Sequence, residues 1–179
     1  MCLRVASAFR RKIAALGVIM LLATSAQAEV IDRIMAVVGG QPITLSDVNA
    51  ALQFHIVEPP AGTPDPLAYA MDRLIDRTLM LAEVDRFQPP EPDPVEMTIR
   101  IDDLERRAGS IAAFEKSLAV TGTTREQLRR RIRDDLRITT YLNQRFGAAT
   151  SPAERDAAIA AWLAELRRRA EITVPYLAK

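Results

Sequence analysis

Three capping residues in this chain are followed at once by proline and then by a long stretch of helical apolar spacing: Asp65-Pro66, Asp93-Pro94 and Ser151-Pro152. Each pair dictates a helix start. The first side chain accepts from backbone N–H groups that have no helical partner, and proline at the first helical position has no N–H to satisfy. Ser151-Pro-Ala-Glu154 adds the reciprocal glutamate of a capping box. Proline also does the stopping. Gln88-Pro-Pro-Glu-Pro-Asp-Pro94 breaks whatever helix precedes it, and Glu58-Pro-Pro-Ala-Gly-Thr-Pro64 is a loop on proline content alone.

Apolar spacing between these marks predicts helices over Leu67–Phe87, Val95–Ala108, Ser110–Val120, Thr124–Phe146 and Pro152–Arg169. Leu79-Met80-Leu81 lies in the first of them. Three consecutive residues span about 200° of a helix, so this helix is buried on two sides or lines a groove. Ahead of the helices, Val30–Val38 suits a mostly buried strand, Gly39-Gly40 a hairpin turn, and Gln41–Leu45 a short edge strand because of Pro42. Ser46 is the expected N-cap of a helix from Asp47, with Val48, Leu52 and Ile56 on its apolar face. Glu171–Leu177 is β-prone, and the only other strands lie near the start, so the two chain ends are expected to meet in one sheet. The fold class predicted is mainly α with a small antiparallel β-sheet: a hairpin over 30–45, helices over 47–168 and a closing strand over 170–177.

The first residues have a different character. Arg4, Arg10, Arg11 and Lys12 precede an uncharged apolar run, Ile13–Ala23, and Ala26-Gln27-Ala28 follows. This is the pattern of a secretory signal peptide over 1–28, cleaved before Glu29, rather than an uncleaved anchor. Cys2 precedes the apolar run, which does not fit a lipoprotein. The expected mature chain, 29–179, is one domain of 151 residues with 20 basic and 23 acidic side chains and no cysteine. Exported without disulfides, it must be held by packing alone. Its slight negative charge gives no reason to expect nucleic acid.

Reactive side chains in a recognisable pattern are scarce. The chain has a single histidine, His55, whereas metal sites need converging ligands. Gly39-Gly40 lacks the further glycine of a dinucleotide loop, and no G-x-S-x-G elbow occurs. Adjacent acids such as Asp102-Asp103 and Asp134-Asp135 point apart on a helix, and Asp102/Arg106 and Glu126/Arg130 fall at ion-pair spacing. Arg125, Arg129, Arg133 and Arg137 repeat every four residues, a stripe read as a solvated face. Arg167-Arg168-Arg169 suits the negative end of a helix dipole. No catalytic, cofactor-binding or metal-binding residue is assigned, and no cofactor is expected. A surface site remains, with Met71, Ile75, Leu79, Met80, Met97 and Phe114 as candidates to line an apolar groove.

"IDRIMAVVGGQPITLSDV", a proline-bounded linker, "AMDRLIDRTLMLAEVDRF" and then "TREQLRRRIRDDLRITTYLNQRF" resemble, in that order, the N-terminal domain of SurA-type periplasmic chaperones. The resemblance covers 29–179 almost end to end. In that family a parvulin-type prolyl isomerase domain usually follows the long helix. Here Phe146-Gly-Ala-Ala-Thr-Ser151 leads straight to the last helix, leaving no room for one. The resemblance therefore implies a chaperone core without isomerase activity. Such a core would act in the periplasm as a holdase for unfolded outer-membrane or exported polypeptides. It would lack a membrane span after cleavage and need neither cofactor nor nucleic acid. An extended client would meet an apolar groove or add to a sheet edge. The alternative is a cell-envelope interaction subunit that uses the same fold against one dedicated partner.

Overall fold

A computed structural model of the chain describes residues 32–175. The expected leader, 1–28, lies outside them, as do residues 30–31 of the expected first strand and 176–177 of the expected last one. The described residues form three strands and six helices: β1 (Ile34–Val38), β2 (Gln41–Thr44), α1 (Leu45–Gln53), α2 (Pro66–Phe87), α3 (Pro94–Arg107), α4 (Ile111–Thr121), α5 (Arg125–Phe146), α6 (Pro152–Arg169) and β3 (Ile172–Thr173). The fold is mainly helical with a small antiparallel sheet.

The sheet has the order β2-β1-β3. Gly39 and Gly40 turn the hairpin with φ of 54° and 82°, conformations that cost glycine little. Val37 and Val38 of β1 pair with Thr173 and Ile172 of β3, and the Gly39 N–H donates to the Glu171 carbonyl at 2.9 Å. The two ends of the described chain thus meet in one sheet, with β1 in the middle.

At the first helix the structure corrects the expected cap. Thr44, not Ser46, is the N-cap, so the strand ends and the helix begins earlier than predicted. Thr44 Oγ1 accepts from the Asp47 N–H at 3.2 Å, and Asp47 Oδ2 accepts from the Thr44 N–H at 3.0 Å. The Ser46 N–H donates to Asp32 Oδ1 instead. Ile56 falls beyond the helix, because α1 ends at Gln53 and His55 takes a positive φ of 52°. The proline starts are as predicted: Asp65, Asp93 and Ser151 cap α2, α3 and α6. Glu154, however, accepts from Thr150 rather than from the Ser151 N–H, so the capping box expected there does not form.

Two apolar clusters share the interior. The larger joins the sheet to α2, the second half of α5 and α6, through Met35, Ile75, Leu79, Val84, Tyr141 and Trp162 among others. The smaller gathers Ala50 of α1, Phe54 just after it, Phe114 of α4 and Leu128, Ile132 and Leu136 of α5, and α3 leans on it. α5 serves both, which is why its apolar residues run its whole length.

α2 crosses the larger cluster and brings charge with it. Asp76 is buried, and Arg167 of α6 donates to it at 2.6 Å while reaching Asp72 at 2.7 Å. Arg73 lies 3.1 Å from the other oxygen of Asp76. Removing one partner of such a pair strands a buried charge. Arg167→Ala leaves the buried Asp76 carboxylate with only the half-exposed Arg73, and is expected to lower unfolding free energy by about 3 kcal/mol, measured by urea titration. Deleting residues 170–179 removes β3 and the Ala170, Ile172 and Val174 contacts to the larger cluster, and is expected to abolish cooperative thermal unfolding; an unchanged melt would refute the closure.

Candidate functional site

Two clefts flank α2. The larger, about 1000 Å³, runs between the hairpin and α2. Val38, Pro42 and Ile43 form one wall, Leu79 and Leu81 another, with Leu166 and Ala170 at the end. The smaller, about 560 Å³, lies where the segment after α1 meets α2, α3, α5 and α6. Its apolar lining includes Phe54, Met80, Leu104, Ile132, Leu136 and Leu163. Both volumes fall within the range typical of ligand sites, roughly 300–1,000 Å³. Leu79 and Leu81 line the larger cleft and Met80 the smaller: successive residues point about 100° apart on a helix, so a run of three apolar residues reaches around α2 to both clefts. Ile56, Leu74 and Arg77 line both.

The candidate groove residues therefore separate. Leu79 lines the larger cleft and Met80 the smaller. Met71, Ile75 and Phe114 are buried, at 3%, 3% and 1% exposure, and line neither of these clefts; for them the groove expectation is corrected to core packing. Met97, on α3, is half-buried against the smaller cluster and lines neither cleft.

Charge frames both openings. Arg77 stands between the clefts, donating from Nε to Asp135 at 2.6 Å and from Nη2 to the Arg131 carbonyl at 3.0 Å. Its Nη2 is also 3.8 Å from Asp134. Burial raises both Asp134 and Asp135 above the ordinary aspartate value, more than Arg77 and the neighbouring arginines pull them down. Asp72 behaves oppositely: burial raises it, but hydrogen bonds from Arg73 and Arg167 prevail and leave it lowered. Arg131 pairs with Asp47 at the rim of the larger cleft. At the smaller cleft His55 is exposed, with Nδ1 3.5 Å from Glu58.

The arginine stripe is not a plain solvated face. Arg125 bridges Glu105 of α3 and Glu115 of α4 and lies 4.9 Å above the Phe114 ring. Arg133 makes two bonds to Glu91, and Arg137 is buried and meets Asp85 at 2.9 Å. Arg129 is exposed. The acids that tie the stripe down lie on other elements, out of reach of any spacing rule. Of the expected helix pairs, Glu126–Arg130 forms, whereas Arg106 pairs with Asp103. Arg167 leaves its helix end to bind α2.

Strand addition is poorly supported at β2, because Pro42 offers no N–H to a further strand. Among the described residues no group of three or more His, Cys, Asp or Glu is placed to hold a metal ion, and no helix is long and apolar enough to cross a membrane.

The raised value of Asp134 has a definite sign. Its ionised form is disfavoured in the folded state, so its contribution is favourable below the unfolded value, near pH 4, and is lost as pH rises through the higher folded value. Asp134→Asn mimics the protonated form. The variant is expected to match or exceed the parent in stability at pH 7 and to lose that advantage below about pH 4, in urea titrations across the range.

No protein-family model matches the chain, and no curated protein sequence matches it at a significant level.

Proposed function

We propose that this protein is a periplasmic holdase-type chaperone that binds unfolded outer-membrane or exported polypeptides and has no isomerase activity. The observation that carries the reading is the pair of clefts along α2, each with an apolar floor and a rim of arginine and carboxylate. An unfolded chain presents apolar side chains joined by a polar backbone. Apolar floors take the first, and charged rims offer partners to the second. Binding of this kind is weak, because ordering a flexible chain costs entropy, and it needs no nucleotide.

Two further features support the reading. The order of elements, a hairpin, helices and a last strand returning to the hairpin, follows the SurA-type resemblance. The basic, apolar and A-x-A segments at the start agree with export to the periplasm.

The test is aggregation of a urea-diluted outer-membrane β-barrel protein, with and without the purified chain from Glu29 onward, at low micromolar concentration. Suppression at a near-stoichiometric ratio is the expected result. A folded helical protein that suppresses nothing overturns the holdase and leaves a subunit with one dedicated partner, to be sought by crosslinking in the periplasm.

A further inference from the structure

α3 is unlike the other helices. None of its residues is buried, although it is 14 residues long. Its inner side, Met97, Ile101 and Leu104, covers the smaller cluster, while Val95 and Ile99 on the outside are 64% and 59% exposed. Pro89 is buried and anchors the preceding chain, so the linker to α3 is residues 90–93; Gly109, with φ of 83°, follows the end of the helix. Two exposed ion pairs hold it from the sides. Arg133 grips Glu91 just before α3, and Arg125 grips Glu105 within it. Exposed pairs contribute little, typically below about 1 kcal/mol each.

We propose that α3 is a displaceable cover seated in a binding site of its own chain, and that the site's ligand is an acidic amphipathic polypeptide segment. The proposal rests on the polypeptide-binding reading above and names the chemistry of the segment. That chemistry is taken from the present occupant. Lifting α3 uncovers the apolar surface of Phe54, Phe114, Leu128, Ile132 and Leu136. It also releases Arg133 from Glu91 and removes Glu105 from Arg125, which keeps its bond to Glu115 of α4, beside exposed Arg129. The vacated seat is thus an apolar strip edged by three arginines at four-residue spacing. Its complement places apolar residues as α3 places Met97, Ile101 and Leu104, one helical face, with carboxylates at either end. The arginine repeat then has a reason beyond holding α3: the same guanidinium groups exchange an internal carboxylate for an external one.

A fluorescent peptide spanning residues 91–108, titrated into the purified protein and read by anisotropy, tests this. The closed cover competes with the peptide, so the parent should bind it weakly. Met97→Ala/Ile101→Ala loosens the cover and should bind it about tenfold tighter, since a larger fraction of molecules is open. A peptide with Glu91→Lys and Glu105→Lys should bind the variant more weakly than the parent peptide does. Equal affinity of parent and variant, or indifference to charge reversal, overturns the proposal. Should the double variant fail to fold, Glu91→Gln/Glu105→Gln releases the side contacts alone and must shift affinity in the same direction. Hydrogen exchange gives a second reading: α3 amides are expected to exchange well before those of α2, and exchange at the α2 rate overturns the cover. Tight peptide binding without aggregation suppression upholds the cover and rejects the holdase; suppression with no peptide effect does the reverse.

Discussion

The position of α2 depends on pairing the charges it carries inward. A helix with Leu79, Met80 and Leu81 in a row must be enclosed on more than one side, and enclosure brings Asp76 and Arg77 out of water with it. Each needs a partner from another element. Arg167 of α6 reaches Asp76, and Asp135 of α5 takes Arg77. These pairs do not need to add net stability to matter, because desolvation offsets much of the attraction. Their effect is positional: sliding α5 or α6 along α2 would leave a carboxylate or guanidinium unpaired. The two clefts exist because α2 is held in this register with apolar side chains turned to both.

Much of this was legible in the sequence wherever the determining interaction was local. Asp65-Pro66, Asp93-Pro94 and Ser151-Pro152 mark three helix starts, and five of the six helices lie within a residue or so of their apolar-spacing limits. The first helix was misplaced although its signal was local too. Thr44 and Asp47 stand three apart, the spacing of a capping box, while the more obvious Ser46 has its N–H taken by Asp32. The meeting of the chain ends was also legible, because a lone β-prone segment has nowhere else to pair.

The candidate site was less legible, for a physical reason. Apolar periodicity shows that a face is covered without showing what covers it. Met71 and Ile75 lie on α2 with Leu79 and Met80, yet the first two meet core and the others border clefts. The arginine stripe failed in the same way. Spacing along α5 is a local property, but Glu91, Asp85 and Glu105 come from elsewhere in the chain. A stripe of cations can be read from one helix; whether it faces water cannot.

The two clusters also divide the labour of stability. Fully burying a leucine or phenylalanine contributes about 2 kcal/mol, so α2, with Met71, Leu74, Ile75, Leu79 and Val84 inside, is held many times over. α3 has no such residue and relies on half-buried side chains and exposed ion pairs. Local opening follows the weakest cover, and binding elements are drawn from that low-stability end. Pairing β1 with both β2 and β3 places the stable cluster around the sheet, α2 and α6, while α3 packs on the smaller cluster. The inequality between α2 and α3 arises from where burial stops: α2 and the second half of α5 enclose their large apolar residues, whereas those of α3 stay half-buried or exposed.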